Sequence, residues 1–146
     1  MKLIYIAGPY RAPTTWGIAQ NIHRAREAGA IVAASGAYPV IPHSNTAHMD
    51  GVADDALWLA GTLELMRRCD GVVMAKGFMS SSGAVAEHNE AVARRMPIYS
   101  GGEQTTSYVP VEVVRGWSPW GFDCDDRNHR DALRDWLRLD VIGRRE

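Results

Sequence analysis

Glu87 is the residue whose setting in this chain most invites chemistry. It follows the run Ser80-Ser81-Ser82-Gly83 by four residues, in a segment from Gly83 to Arg95 built of good helix formers and stopped by Pro97. A serine-rich turn ahead of a helix caps it and aims the first backbone amides beyond the preceding strand, a place that favours anions. At about 100° per residue, Glu87 points roughly opposite Val85 and Val92, which are expected to face a sheet. A carboxylate so placed leans over the helix start, where the helix dipole keeps it ionised. An ionised, positioned carboxylate can act as a nucleophile or as a base. The plainer alternatives are a solvated surface glutamate and an i,i+4 surface pair among Glu87, Glu90 and Arg94.

Two other turns bring polar groups to the same edge. Gly8-Pro9-Tyr10-Arg11 ends a first apolar run; Tyr10 can stack on a base or hydrogen-bond Glu87, and Arg11 can hold a phosphate or carboxylate. An ordinary turn with an exposed arginine fits those residues equally well. His43-Ser44-Asn45-Thr46 leaves a second apolar run, and its amide and hydroxyls can read a base or sugar; a self-bonded turn is the alternative. His43, His48, Asp50 and His88 lack the spacing of a metal site, so no metal is expected. Nothing marks Lys76 as the desolvated amine a Schiff base needs.

The elements that must position these groups alternate. Leu3 to Ala7 reads as a buried strand, and Thr14 or Thr15 caps a helix from Trp16 to Ser35 that ends at Gly36. Tyr38 to Ile41 is a second strand closed by Pro42, and a polar loop runs from His43 to Val52. Asp54 or Asp55 caps a helix over Ala56 to Arg68, packed through Leu57, Leu63 and Met66, with Trp58 as core or cleft wall. Gly71 to Ala75 and Ile98-Tyr99 are further buried strands on either side of the Glu87 helix. Beyond Gly101 the pattern weakens to a loop, an edge strand over Tyr108 to Val114, an unassigned stretch with Trp117 and Trp120, and an amphipathic helix over Asn128 to Leu139. Strands alternating with helices give an α/β fold, a doubly wound parallel sheet in a flavodoxin- or Rossmann-like three-layer sandwich. Residues 1–146 are expected to form a single domain, a core of 1–100 with a C-terminal extension of 101–146.

Composition sets the bounds. The chain has 146 residues, 46% hydrophobic and 23% charged, enough for a real core. A net charge of −1 gives no attraction to a nucleic-acid polymer or an acidic membrane. No run approaches the roughly 20 apolar residues of a membrane span, and the first residues do not form a signal peptide. Cys69 and Cys124 form no metal pattern, and a reduced, cytoplasmic setting is expected.

Three segments together resemble the nucleoside 2-deoxyribosyltransferase superfamily, in particular its small, little-characterised phage and bacterial branch. They are IYIAGPYR with its helix, PHSNT, and CDGVV…SSSGAVAEHNEAVARRMPIY, and the resemblance spans roughly residues 3 to 99. Its most specific piece is Ser81-x-Gly83-x3-Glu87, followed by Pro97; Arg95 stands where the family pattern has a glycine. The resemblance implies a Glu87 nucleophile that attacks C1′ of a 2-deoxyribosyl group, oriented by Tyr10. Ser81, Ser82 and Gly83, with Gly8, Pro9, Arg11, His43 and Asn45, would bind substrate. It also implies no cofactor, a nucleoside or nucleotide substrate and a homo-oligomer. The family's acid that helps the base leave falls at Thr62, which cannot supply a proton at neutral pH. Glu64, Asp70 or an acid of the His43–Asp55 loop would have to substitute, and Asp70 is carried here as the catalytic candidate. The expected activity is cleavage of the N-glycosidic bond of a 2-deoxynucleoside or its 5′-monophosphate. A nucleotide sensor without turnover, or an interaction module using Trp117 and Trp120, would arise from the same sequence.

Overall fold

The computed structural model describes residues 1–100, 114–115 and 121–142. Five parallel strands form one sheet in the order β2-β1-β3-β4-β5. They are β1 (Leu3–Ala7), β2 (Tyr38–Val40), β3 (Gly71–Met74), β4 (Ile98–Tyr99) and β5 (Val114–Arg115). This is the flavodoxin-like strand order, which reverses between β1 and β3. The helices are α1 (Thr15–Ala34), α2 (Pro42–Asn45), α3 (Asp55–Arg67), α4 (Ser82–Ala93) and α5 (Arg127–Trp136). Among the described residues no helix is long and apolar enough to cross a membrane.

The helix starts follow from single side chains. Thr14, Asp54, Ser81 and Asp126 each accept from a backbone amide of the first turn. Pro42 begins the short helix α2 rather than closing a strand, because its missing N–H costs nothing at a first helical position. The end of α4 is unusual, since Arg95 takes a left-handed φ of 54°. That conformation favours glycine, the residue expected here from the family pattern.

Alternation along β1 divides the core in two. Ile4 and Ile6 join Ala25, Ala28 and Val32 of α1 and Leu133, Trp136 and Leu137 of the C-terminal helix in one apolar cluster. Tyr5 and Ala7 face the other way, toward Met66 of α3 and Ala84 and Ala91 of α4. The closing helix is therefore a full layer partner, through the residues its amphipathic pattern specifies. Helix α3 departs from expectation: Met66 is its one fully buried residue, Leu63 is partly buried, and Leu57 is 58% exposed. Helix α4 departs too. Its buried residues are Ala84, Glu87 and Ala91, so the carboxylate lies on the sheet-facing side and Val85 and Val92 are only partly covered.

The unassigned stretch before α5 contains an anchor. Phe122 pairs with Ala75 as an isolated parallel bridge, donating to Met74 O at 2.7 Å and accepting from Lys76 N at 2.9 Å. Gly121 comes so close that a Cβ there would lie 2.3 Å from Ala75 O. The expected loop over Gly101 to Ser107, the strand residues before Val114, and Trp117 and Trp120 lie outside the described residues.

Candidate functional site

At the carboxyl ends of β1 and β3, where the strand order reverses, the loops part around a cleft of about 460 Å³, the size of a small-molecule site. Its walls come from Gly8 to Arg11 after β1, from α2 and the loop after it, from the inner side of α3, and from Ser80 to Ala84 leading into α4. Glu87 closes the floor.

Glu87 is 7% exposed. The Tyr5 hydroxyl, reaching up from the middle of β1, donates to its Oε1 at 2.5 Å. Burial pushes the Glu87 carboxyl up to about 7, and the hydrogen bond from Tyr5, with the nearby Thr62 hydroxyl, pulls against that rise. The helix dipole does not keep this acid fully ionised near neutrality, as position alone suggested; loss of water outweighs it. Burial raises the Tyr5 hydroxyl far above its ordinary range, and the charge of Glu87 adds to the rise. Tyr5 thus stays a donor, and the Glu87 carboxyl is poised between its two states.

The rim is held by contacts across the cleft mouth. Tyr10 does not reach Glu87: its hydroxyl donates to Asp50 Oδ2 at 3.1 Å. Arg11 is paired with Asp55 at the start of α3. His43 is buried, and its Nε2 lies 3.1 Å from both Gly8 O and Pro9 O. Two carbonyls can only accept, so Nε2 carries the proton and Nδ1 is the bare nitrogen. That Nδ1 is buried with no partner among the described residues. Burial also lowers the His43 pKa, ahead of the opposing carbonyl contacts. Ser81 caps α4 through Ala84 N at 3.3 Å, while Gly83 faces open space.

The other expected residues divide. Gly8, Pro9, Ser81, Ser82 and Gly83 line the cleft with Arg11 and His43, whereas Asn45 is exposed and does not. Asp70 is misplaced as a catalytic candidate. It sits before β3 at the opposite end of the sheet, accepting from Leu3 N at 2.8 Å and Lys2 Nζ at 3.0 Å. Glu64 is also outside the cleft, paired with Arg67 and Arg68 on the helix surface. Thr62, the position where an acid was looked for, does line the cleft beside Glu87; its hydroxyl donates to Leu59 O at 3.2 Å. Besides Glu87, Asp50 and Asp55 are the acids of the cleft wall. His43, His48, Asp50 and His88 do not gather into a group that could hold a metal among the described residues.

Sequence reasoning passed over Tyr5. In a strand buried on both faces, a tyrosine looks like any other large apolar residue. The available signal was the lone hydroxyl in LIYIA, which needs a partner once buried.

A flavodoxin-like α/β sheet with a buried carboxyl under its switch-point cleft is thus the class of molecule defined by fold and site. The chain belongs to the family described as a domain of unknown function, DUF7768, whose model matches residues 2–100. It is similar in fold to a 2-deoxyribosyltransferase from the psychrotolerant bacterium Bacillus psychrosaccharolyticus. The TM-score is 0.58 at 13% identity, over 81% of this chain and 87% of that one. None of the curated proteins compared with the chain matches it.

Proposed function

We propose that this protein cleaves the N-glycosidic bond of a 2-deoxynucleoside or its 5′-monophosphate, with Glu87 as nucleophile. The observation that carries the reading is the buried Glu87–Tyr5 pair under a cleft of nucleoside size. The fold likeness to a 2-deoxyribosyltransferase supports it at the level of architecture. In the first step a Glu87 oxygen bonds to C1′ as the C1′–N bond breaks, its electron pair leaving with the base. The base takes a proton from water or from a cleft acid, for which Asp50 and Asp55 are placed. In the second step a water oxygen, or a nitrogen of another base, bonds to C1′ and releases Glu87 as a carboxylate. Tyr5 rather than Tyr10 then steadies the carboxylate, and the start of α4 with Ser81, Ser82 and Gly83 receives the 5′ end. The reading needs no cofactor. It takes residues 1–146 as one domain, supported by the apolar cluster that β1, α1 and α5 share.

The test is incubation with a panel of 2-deoxynucleosides and their monophosphates, with free base measured by chromatography. Base release that disappears in Glu87→Ala is expected; release that persists in that variant at the wild-type rate excludes the nucleophile role. A second reading, a nucleotide sensor without turnover, rests on Thr62 standing in the cleft where an acid was expected. It predicts saturable nucleotide binding with no base released by the wild type.

A further inference from the structure

The cleft carries an uneven charge. Among the described residues its lining holds three acids, Asp50, Asp55 and Glu87, against one cation, Arg11. That cation is already paired with Asp55 across the rim. His43 adds no charge: burial lowers its pKa, and its Nε2 proton is shared by Gly8 O and Pro9 O, each 3.1 Å away. The chain as a whole is nearly balanced, with 16 basic and 17 acidic residues. The imbalance of the cleft is thus local, and a concavity lined by one sign of charge gathers ligands of the other.

The acids of this lining are arranged to accept hydrogen bonds rather than to give protons. A neutral base that leaves C1′ takes the electron pair of the broken bond and needs a proton to hold it. Asp50 and Asp55 are the wall acids open to such a base, and both are already engaged as acceptors. Asp50 accepts from the Tyr10 hydroxyl at 3.1 Å, and Asp55 accepts from Arg11. Thr62 gives its hydroxyl hydrogen to Leu59 O at 3.2 Å. The rings of Tyr10 and the half-buried Trp58 complete the wall, and such rings attract cations to their faces.

Resting on the cleavage reading, we propose that the preferred substrate is a 2-deoxynucleoside whose base carries a fixed positive charge, a ring nitrogen being alkylated. A base of that kind departs without a proton. In the first step a Glu87 oxygen bonds to C1′ as the C1′–N bond breaks, and the electron pair of that bond cancels the charge on the ring. Carboxylate and cation become an ester and a neutral base. In the second step a water oxygen bonds to C1′, the ester bond returns its pair to Glu87, and the proton of the water passes to solvent. Neither step calls on an acid of the wall. As the first bond breaks, positive charge moves from the ring to the sugar, so the surrounding carboxylates favour the transition state as well as the bound substrate.

The test gives the full chain 7-methyl-2′-deoxyguanosine and 2′-deoxyguanosine, which differ by one methyl group and one positive charge. Initial rates are read by chromatography of the free base, just below neutrality, after subtracting the base each compound loses without enzyme. The methylated compound is expected to show a KM on the order of 10-fold lower and a kcat/KM on the order of 100-fold higher. Added salt should narrow the difference in KM, because exposed carboxylates are screened. So should Asp50→Asn, which keeps an oxygen for Tyr10 and removes the charge. Equal KM for the two compounds overturns the proposal. So does a KM difference unmoved by both salt and Asp50→Asn, which would mean that the methyl group is read by its shape and not by its charge. If Asp50→Asn does not fold, Asp55→Asn replaces it. Base release from both compounds with equal efficiency ends this proposal and leaves the cleavage reading standing, whereas release from neither ends both.

Discussion

The two faces of the sheet are built to different rules. On the α1 and α5 side, Ile4, Ile6, Val73, Tyr99, Leu133, Trp136 and Leu137 close a continuous apolar layer. On the α3 and α4 side the same strands present Tyr5, which meets a buried carboxyl, and α3 adds a single fully buried residue. Burying an acid costs free energy in proportion to the water it loses, and one tyrosine does not restore it. The α3 and α4 side has its own apolar cluster, with Met66, Met74, Phe78 and Ile98, and it alone also takes in a buried acid, where the cleft opens.

Variants can break that comparison. The largest effect is expected at Glu87. As nucleophile its removal in Glu87→Ala should lower kcat on the order of 10⁴-fold while nucleotide binding remains, measured by single-turnover base release and calorimetry. Next comes the opposite face. Trp136→Ala removes a ring packed 5.7 Å from that of Tyr99. It should cost about 3–5 kcal/mol in urea unfolding and leave kcat/KM unchanged well below the melting temperature.

A subtler difference concerns pH. The Glu87 carboxyl titrates at about 7 in the folded protein, above its ordinary value of 4.5. Between those values the folded chain binds a proton that the unfolded chain has released. Stability therefore falls as pH rises from about 4.5 to about 7 and is level beyond, a loss on the order of 3 kcal/mol. Glu87→Gln should remove this loss, melting higher than wild type at pH 8 and matching it near pH 4.5, as scanning calorimetry would show. The group required for turnover would then be one that the fold is more stable without.

Tyr5→Phe should sharpen the same point. Without the hydroxyl the carboxylate loses a donor, so the acidic limb of kcat/KM against pH should move about one unit upward from 7. A limb that does not move would separate Tyr5 from the ionisation of Glu87. The smallest effect belongs to the end of α4, where Arg95→Gly should relieve the left-handed strain at φ 54°. A gain of about 0.5–1 kcal/mol in thermal unfolding is expected.

Much of the architecture was legible because its causes are local. Caps at Thr14, Asp54 and Ser81, the stop near Gly36 and the four core strands each follow from a few adjacent residues. The amphipathic stripe of the last helix likewise named Leu133, Trp136 and Leu137, all of which are buried. The cleft was legible as an edge, since Gly8, Arg11, His43 and Ser81 to Gly83 all leave strands or enter a helix there. The partners inside it were not. Tyr5 and Glu87 lie 82 residues apart, and only the register of β1 against β3 and the seating of α4 bring them together. Asp70 failed for the complementary reason. An acid just before a strand lies at the wrong end of a parallel sheet, however well it stands in a motif. Leu57 was assigned to the core by hydropathy, which does not say which of two helix faces meets the sheet.

The pairing of Phe122 with the end of β3 bears on how the molecule is made. Ribosomal synthesis delivers β1, β3 and the Glu87 helix first, with one face of the sheet lacking Leu133, Trp136 and Leu137. Until those residues emerge, the cluster around Ile4, Ile6 and Tyr99 is incomplete, and until Phe122 emerges the end of β3 lacks its brace. At synthesis rates of about 5–20 residues per second, the stretch from Ser100 to Leu137 takes seconds to make. Every residue that lines the cleft is thus made before the side chains that complete the apolar layer on the opposite face of the sheet.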